Sequence, residues 1–271
     1  MLPNFIIAGP PKSGTTSLQL YLNRHPDIFC FGEIHYFSDN YKKGIKWYES
    51  HFEKWNEEKA VGEKSPSYFY DSNTPVRIKK DIADVKLIFI LRNPVDRAHS
   101  HFWHEVRKGR EENVLDKKKV EQKINNNEDN ENPDYLEISK YSKYIKRWFD
   151  YFPKKQMFFL KMEELNQKKL KEILEFLEID TSFDFGSLKK YNIGGSPRSK
   201  ILSKLYKNKI IQKIPYAADF INRGLNMKRG KYPSITNEFR KKLIDYYLPY
   251  NKSLEKLTGL DVSNWNKINS K

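Results

Sequence analysis

Near its start the sequence reads Phe5-Ile6-Ile7-Ala8-Gly9-Pro10-Pro11-Lys12-Ser13-Gly14-Thr15-Thr16. The apolar run Phe5–Ala8 predicts a buried parallel strand, and Thr15–Asn23 predicts a helix. The loop between them, Gly9–Gly14, contains glycines that allow the backbone to aim several N–H groups at one point. The helix N-terminus adds a partial positive charge at the same place. The stretch therefore predicts an anion site built by a strand, a loop and a helix.

The spacing of this loop is that of a nucleotide triphosphate loop, G-x-x-x-x-G-K-[ST], with one departure. Thr15 stands where the lysine that reaches the β- and γ-phosphates belongs, and the loop carries Lys12 instead. The apolar run that ends at Leu91 continues into Arg92, so it supplies no aspartate for Mg²⁺. The loop therefore favours a ligand that needs no metal, and a monoanionic sulfonate fits it better than a γ-phosphate.

Further apolar runs and amphipathic patterns alternate along the chain. Strands are predicted at Ala60–Glu63, Val85–Leu91 and Met157–Leu160. Helices are predicted at Gly44–Phe52, Val95–Val106, Ser139–Phe152, Leu170–Leu177, Lys200–Ile211 and Glu238–Tyr247. This alternation predicts a P-loop-like, three-layer α/β fold with a central parallel sheet flanked by helices. We expect one domain over residues 1–271, with a mobile insertion at 107–134 that is either a lid or a plain solvated loop.

Composition limits the classes of protein that this chain can be. With 38% hydrophobic residues it has ample material for a core, which excludes a disordered chain. Its one cysteine, Cys30, excludes an intramolecular disulfide. No apolar run approaches the ~20 residues that span a bilayer, and no signal peptide is visible. The sequence therefore predicts a soluble, cytoplasmic protein.

Charge indicates an anionic partner. The formal net charge is +15, and the window from Ser196 to Ile235 holds ten basic residues and one acid. Such an excess suits nucleic acid, an acidic glycan, a membrane surface or a phosphorylated ligand. A solvated helix face that only keeps the protein soluble explains the same charge, and charge alone does not separate the two.

Several separate motifs resemble one family. The first is the loop Pro11-Lys12-Ser13-Gly14-Thr15-Thr16-Ser17, and the second is the segment Glu33-Ile34-His35-Tyr36-Phe37, followed by Tyr41–Tyr48. The others are Glu63-Lys64-Ser65-Pro66-Ser67-Tyr68-Phe69, Leu91-Arg92-Asn93-Pro94-Val95-Asp96-Arg97-Ala98-His99-Ser100 and Lys228-Arg229-Gly230-Lys231-Tyr232-Pro233. In this order they are similar to the sulfotransferases that use 3′-phosphoadenosine 5′-phosphosulfate (PAPS). The match is closest to the heparan sulfate N-sulfotransferase and 3-O-sulfotransferase branch.

The resemblance implies a role for each matching residue. Glu33 would be the general base, and Lys12, Lys64, His104 and Lys228 would assist catalysis. The donor would be bound by Lys12, Ser13, Gly14, Thr15, Thr16, Ser17, Arg92, Ser100, Lys228, Arg229, Gly230, Lys231 and Tyr232, with Arg92 and Ser100 on the 3′-phosphate. A surface ion pair is the alternative for Arg92, and a plain helix-surface histidine is the alternative for His104.

The expected reaction is sulfuryl transfer from PAPS to a hydroxyl or amine of an acceptor, with 3′-phosphoadenosine 5′-phosphate (PAP) as product and no metal. A glycan is the expected acceptor, and no nucleic acid partner is expected. Two other functions stay open from the residues alone. One is a Mg²⁺–ATP-dependent kinase that shares the loop, and the other is a non-catalytic polyanion binder that explains the charge.

Overall fold

The structure is a computed structural model that describes residues 1–108, 120–122, 134–188, 199 and 232–268, and the backbone alone of 195–197 and 227–229. The chain forms two compact units. The first unit comprises Met1–Asn93, Lys140–Tyr191 and Pro249–Asn264, and the second comprises Pro94–Ser139, Asn192–Leu248 and Trp265–Lys271. Single-domain organisation over 1–271 stays a prediction from sequence.

A five-stranded sheet forms the centre of the first unit. Its strands are β1 (Phe5–Ile7), β2 (Ile28–Phe31), β3 (Ala60–Lys64), β4 (Lys86–Leu91) and β5 (Met157–Lys161). Their order is β2-β3-β1-β4-β5, and every neighbouring pair is parallel. Because β1 lies between β3 and β4, the chain crosses over on both sides of β1, and ligands of such sheets bind where the strands end.

The described helices of eight or more residues alternate with these strands. They are α1 (Thr15–Leu22), α3 (Thr74–Asp81), α4 (Pro94–Arg107), α5 (Tyr141–Phe149), α6 (Gln167–Leu177) and α7 (Asn237–Thr258), and a shorter helix, α2, covers Ile45–Glu49. Asn166 caps the N-terminus of α6, since its side chain accepts the N–H of Lys169 at 3.0 Å. Among the described residues, none of these helices combines the length and the apolarity that a bilayer crossing requires.

Alternation along the strands sends side chains to the two faces of the sheet. Ile88 and Ile90 of β4 pack in one cluster with Leu18 of α1 and Leu170 of α6. Phe89, between them, faces the other way, and its ring lies 5.2 Å from that of Trp148 in α5. Burying side chains of this size contributes about 1.5–3 kcal/mol each, so both faces stabilise the sheet.

A second apolar cluster holds the second unit together. Val95, Phe102 and Val106 of α4 pack with Phe239 and the residues around it in the part of α7 that precedes Pro249. Arg97, fully buried in the same unit, donates to Ser139 Oγ at 2.7 Å and to the Tyr135 carbonyl. The backbones of 195–197 and 227–229 pair as a short antiparallel ribbon, with Ser196 opposite Lys228.

The α/β fold with a parallel sheet and flanking helices is confirmed. Strand β2 and helix α3 are absent from the sequence prediction, and α7 is much longer than the predicted Glu238–Tyr247. The predicted helix Lys200–Ile211 and most of the predicted insertion 107–134 lie outside the described residues.

Candidate active site at the carboxyl edge of the sheet

The predicted site residues of the first unit gather where its strands end. The loop with Lys12 follows β1, Glu33 follows β2, Lys64 is the last residue of β3 and Arg92 follows β4. Because β3 and β4 flank β1 in the sheet, their ends stand on either side of the loop. The topology alone therefore brings to one edge four residues that lie up to 80 positions apart in the chain.

The loop after β1 has the backbone shape of an anion cradle. Lys12 and Gly14 both have positive φ, 71° and 92°, and this alternation turns successive N–H groups toward one side. Gly9 fits only as glycine, since a Cβ there would lie 2.6 Å from the Ile90 carbonyl oxygen. At the first turn of α1 the N–H groups lack intrahelical acceptors, which leaves them for a ligand.

Ser13 provides a test of whether a donor phosphate fits this loop. The side chain is fully buried, and within the described part of the chain its Oγ makes no hydrogen bond. A buried hydroxyl without a partner is costly, and an oxyanion in the loop would supply its acceptor. The residues present therefore fit the phosphate end of a nucleotide donor, with Ser13, Thr15, Thr16 and Ser17 around it.

Arg92 is held against this loop by contacts on both its side chain and its backbone. Its Nη1 donates to the Lys12 carbonyl at 3.3 Å. The Tyr141 hydroxyl donates to the Arg92 carbonyl at 2.7 Å, and the N–H of Asn93 donates to Glu163 Oε1 at 3.0 Å. The backbone of Arg92 is therefore fixed at the sheet edge, and its guanidinium carries N–H groups whose planar fork can bind two oxygens of a phosphate.

Lys64 connects the loop to the predicted base. Its Nζ lies 2.5 Å from Glu33 Oε1 and 3.2 Å from Thr16 Oγ1. The lysine side chain is 5% exposed and that of Glu33 is 47% exposed. A buried ammonium is tolerated when it is paired, so Lys64 is held here by the carboxylate and the hydroxyl together. The half-exposed face of Glu33 stays open to an acceptor.

His35 is the second partner of Glu33. Its Nε2 lies 3.2 Å from Glu33 Oε2, and its Nδ1 lies 2.6 Å from Ser67 Oγ. The hydrogen bond to His35, with help from the Lys64 ammonium, lowers the pKa of Glu33 to about 2 against the opposing effect of burial. The same hydrogen bond raises the pKa of His35 above its usual range. Glu33 is therefore ionised at neutral pH.

Ser100, His104 and Tyr232 belong to the second unit. Ser100 is buried in α4, and His104 one turn later accepts a hydrogen bond at Nδ1 from Arg107 Nη2 at 2.8 Å. This contact leaves the His104 ring proton on Nε2 in the neutral form. The ring of Tyr232 lies nearly parallel to that of Trp103, with centroids 6.2 Å apart. The roles of Ser100, His104 and Tyr232 stay predictions.

The remaining predicted donor contacts are Lys228, Arg229, Gly230 and Lys231. Only the backbone of Lys228 and Arg229 is described, and Gly230 and Lys231 lie outside the described residues. In the described part of the chain, no three His, Cys, Asp or Glu side chains cluster in the way that a metal site requires.

Sequence reasoning missed Glu63, Ser65 and Glu163 as parts of this site. Glu63 and Ser65 had a visible signal, since both stand in the motif around Lys64 that resembles the family, but the motif alone assigned them no role. Glu163 had none, because its contact with Asn93 joins positions 70 residues apart.

This combination of a parallel sheet, a phosphate-type loop without the nucleotide triphosphate lysine, and a Lys–Glu pair beside it defines a nucleotide-dependent group-transfer fold. The family comparison agrees with that class. The chain belongs to the sulfotransferase domain family, whose model matches residues 2–257.

Known proteins similar to this chain include heparan sulfate glucosamine 3-O-sulfotransferase 3A1 of Mus musculus, at 29% identity over 277 residues. That match covers 96% of this chain and 64% of the relative, so the chain spans less than two thirds of the length of such relatives. The resemblance to the heparan sulfate branch of the sulfotransferases is confirmed.

Two solved structures share the fold. A sulfotransferase from Alicyclobacillus acidocaldarius has a TM-score of 0.71 at 25% identity, covering 98% of this chain and 100% of that one. Mouse sulfotransferase SULT7A1, a complex with PAP, has a TM-score of 0.51 at 18% identity, covering 95% of this chain and 88% of that one. The second likeness concerns the fold alone.

Proposed function

We propose that this chain transfers a sulfuryl group from PAPS to a hydroxyl or amine of a glycan. The observation that carries the proposal is the position of Lys64, whose ammonium contacts both Thr16 of the loop and the Glu33 carboxylate. The Lys64 ammonium thus contacts both the loop that would bind the donor and the carboxylate that would act as the base. Membership of the sulfotransferase domain family supports the same reaction.

The glycan is proposed from two observations. One is the name of the similar heparan sulfate 3-O-sulfotransferase, and the other is the net charge of +15, which attracts an acidic polysaccharide. Three further expectations stay predictions from sequence: that the protein binds no nucleic acid, that it needs no metal, and that it is cytoplasmic.

Each residue of the edge has a defined task in this reaction. When bound, PAPS supplies a sulfuryl group activated by its bond to a phosphate. Loop amides and the Ser13 hydroxyl would hold that phosphate, Arg92 would hold the 3′-phosphate, and Lys12 would stabilise the charge that grows on the departing oxygen. The S–O bond to the phosphate breaks, the bond from sulfur to the acceptor forms, and the acceptor proton passes to Glu33.

The low pKa of Glu33, about 2, fits a late proton transfer. A carboxylate of this pKa is a weak base toward an ordinary hydroxyl, but it is always ready in the ionised form. As the acceptor oxygen binds sulfur it becomes strongly acidic, and its proton then moves to Glu33 without a large barrier. Lys64 and His35 keep the carboxylate oriented until that moment.

Ligand-induced stabilisation tests the donor. A ligand that binds only the folded chain stabilises it by about 2.7 kcal/mol at 100 times its dissociation constant. We expect PAP to raise the melting temperature by several degrees without metal, and AMP or Mg²⁺–ATP to raise it far less. Arg92→Ala should abolish the shift. Arg24→Ala is the matched control, because the Arg24 guanidinium donates to the Phe185 carbonyl at 2.7 Å, beyond the other end of α1.

Transfer of label from radioactive PAPS to heparan sulfate and to its N-desulfated form then tests the reaction. We expect labelled product that requires the acceptor. A chain that is stabilised by Mg²⁺–ATP and indifferent to PAP would instead be a kinase, and one that binds heparan sulfate with steep salt dependence but no PAP would be a polyanion binder.

A further inference from the structure

Glu63 is a fully buried side chain that lies directly before Lys64, the partner of the proposed base. It lies in β3, with 0% of its surface exposed. Three hydroxyls donate to it: Tyr48 and Tyr68 to Oε1 at 2.6 and 2.7 Å, and Ser65 to Oε2 at 2.7 Å. Burying a carboxylate costs much free energy, and these three donors offset that cost.

Two of these hydroxyls also accept hydrogen bonds from the segment that carries the base. We call Glu33–Phe37 the base segment. Ser65 Oγ accepts the backbone N–H groups of Ile34 at 3.2 Å and His35 at 2.9 Å. Tyr68 Oη accepts the N–H of Phe37 at 3.1 Å. Three backbone N–H groups of the base segment therefore donate to hydroxyls that themselves donate to Glu63.

The hydrogen-bond balance requires Glu63 to accept the hydroxyl protons of Ser65 and Tyr68. A serine hydroxyl has one proton and two acceptor sites, and both acceptor sites of Ser65 are used by the base segment. Its proton must then point to Glu63 Oε2, and the Tyr68 proton must likewise point to Oε1. Burial raises the pKa of Glu63, and the three hydroxyl donors oppose that rise. Burial also raises the pKa of Tyr48 and Tyr68, which keeps both phenols as donors.

The base segment depends on these hydrogen bonds because its backbone is strained. His35 has φ 55° and ψ 30°, in the left-handed region that a residue with a Cβ adopts only at a cost of about 1 kcal/mol or more. This turn directs the His35 ring toward Glu33 and Ser67. Loss of the Ser65 acceptor would let the turn relax and would move both side chains.

We propose that Glu63 is a positioning residue for the transfer reaction, which aims the Ser65 and Tyr68 hydroxyls at the base segment and so fixes Glu33 opposite the acceptor. It touches neither substrate nor the reacting atoms. The inference depends on the proposed role of Glu33 as the base, and it extends that role to the buried group behind it.

Glu63→Gln tests the positioning role of Glu63, because glutamine keeps the shape of the side chain and changes only its hydrogen bonding. The amide of Glu63→Gln brings a donor where the carboxylate had only acceptors. If the amide nitrogen faces Ser65, the serine cannot accept both backbone N–H groups. If it faces the tyrosines, Tyr68 must accept from it and loses Phe37. Either orientation removes an acceptor from the base segment.

Two further variants distinguish loss of the position of the base segment from a general loss of stability of the fold. Ser65→Ala removes the acceptor of the Ile34 and His35 N–H groups and leaves the Glu63 side chain unchanged. Tyr48→Phe removes one equally short hydrogen bond to Glu63, but the described contacts of the Tyr48 hydroxyl include no amide of the base segment. Tyr48→Phe is therefore the matched control.

Amide hydrogen exchange measured by NMR tests the inference without any acceptor. In Ser65→Ala we expect the amides of Ile34 and His35 to exchange about tenfold faster. In Glu63→Gln we expect the same acceleration either at Ile34 and His35 or at Phe37, according to which way the new amide faces. In Tyr48→Phe all three amides should exchange as in the wild type. In Ser65→Ala the pKa of His35 should also fall toward its usual value, although the acidic groups of Glu33, Asp39 and Glu63, which raise this pKa, all remain near the ring. Unchanged exchange in both variants, or equal acceleration in Tyr48→Phe, would overturn the inference.

Transfer from labelled PAPS to heparan sulfate gives the second readout. We expect kcat of Glu63→Gln to fall about 100-fold, while the dissociation constant of PAP stays within about twofold. An equal loss of PAP binding would mean that Glu63 only supports the fold, and would refute the inference. If the wild type itself transfers no sulfate, the proposed function fails, and amide exchange still decides whether Glu63 holds the base segment.

Discussion

Lys64 Nζ lies 2.5 Å from Glu33 Oε1, with the lysine side chain 5% exposed and the glutamate 47% exposed. The pair is therefore asymmetric. The cation is enclosed at the end of β3, and the anion is half open. Because Thr16 also accepts from the same ammonium, the carboxylate is tied to the loop through one buried charge. If Glu33 is the base, as proposed, an acceptor that approaches it would meet a carboxylate at a fixed distance from the loop after β1.

Removal of that charge should change the titration of Glu33. In Lys64→Met, we expect the pKa of Glu33 to rise from about 2 toward its ordinary value of 4.5, because an ammonium that favours the ionised form is gone. The remaining hydrogen bond to His35, the largest cause of the low pKa, keeps the rise partial. Carboxyl ¹³C NMR titration measures it directly. Lys86→Met is the control, since Lys86 pairs with the exposed Glu178. A Glu33 titration that is identical in Lys64→Met and wild type would contradict this account of the pair.

The contribution of Glu33 to stability has a defined pH window. Its folded pKa lies below 4.5, so its interactions add stability above about pH 4.5, and this contribution is lost as pH falls toward 2. We expect the gap in free energy of unfolding between wild type and Glu33→Gln to be widest near neutral pH and to narrow at pH 3. Urea unfolding at the two pH values measures the gap. A gap that widens on acidification would show that the Glu33 pKa is raised.

Glu33→Gln should also separate binding from chemistry. The amide keeps the shape of the side chain but cannot take a proton, so we expect sulfate transfer to fall by at least about 100-fold. PAP should bind as in the wild type, because the loop and Arg92 are unchanged. Calorimetry measures the affinity for PAP, and the labelled PAPS assay measures the rate of sulfate transfer. Glu178→Gln, in an exposed ion pair, should transfer as the wild type does. Near-normal turnover by Glu33→Gln would refute its assignment as the base.

The strands, helices and motif residues of this site could be predicted from the sequence better than the hydrogen bonds between them. Strand β4 is a long continuous apolar run and helix α4 has a long amphipathic pattern, and their predicted bounds fall within one residue of those in the structure. Strand β2 was missed because Ile28–Phe31 has four residues and no polar alternation. The positions of Lys12, Glu33, Lys64 and Arg92 followed from motifs in order along the chain. The contacts of Glu63 and Glu163 depend on how distant segments pack, which local sequence does not encode.

Glu163 offers a test of how Arg92 is held. Its carboxylate accepts the N–H of Asn93 at 3.0 Å, and a hydrogen bond to a charged group contributes about 1.5–3 kcal/mol. In Glu163→Ala the turn after β4 loses this anchor, so we expect PAP affinity to fall about tenfold. Glu164→Ala removes the neighbouring acid, which pairs with Lys161 at 2.8 Å, and should change PAP affinity less than twofold. Equal effects of the two variants, measured by calorimetry, would mean that local charge and not the turn controls Arg92.

The loop itself depends on the close approach of two backbones at Gly9. A Cβ on Gly9 would lie 2.6 Å from the Ile90 carbonyl oxygen and 3.0 Å from the Ile90 side chain, and a backbone atom in β4 cannot move aside as a side-chain end can. We expect Gly9→Ala to lower the free energy of unfolding by about 2 kcal/mol or more, since the two strands must separate. Gly32→Ala is the matched control, because a Cβ there meets nothing within 4 Å. Urea unfolding of the two variants should therefore differ clearly. If Gly9→Ala is as stable as Gly32→Ala, β1 and β4 are not packed as closely as described, and the loop they support would have room to change shape when a donor binds.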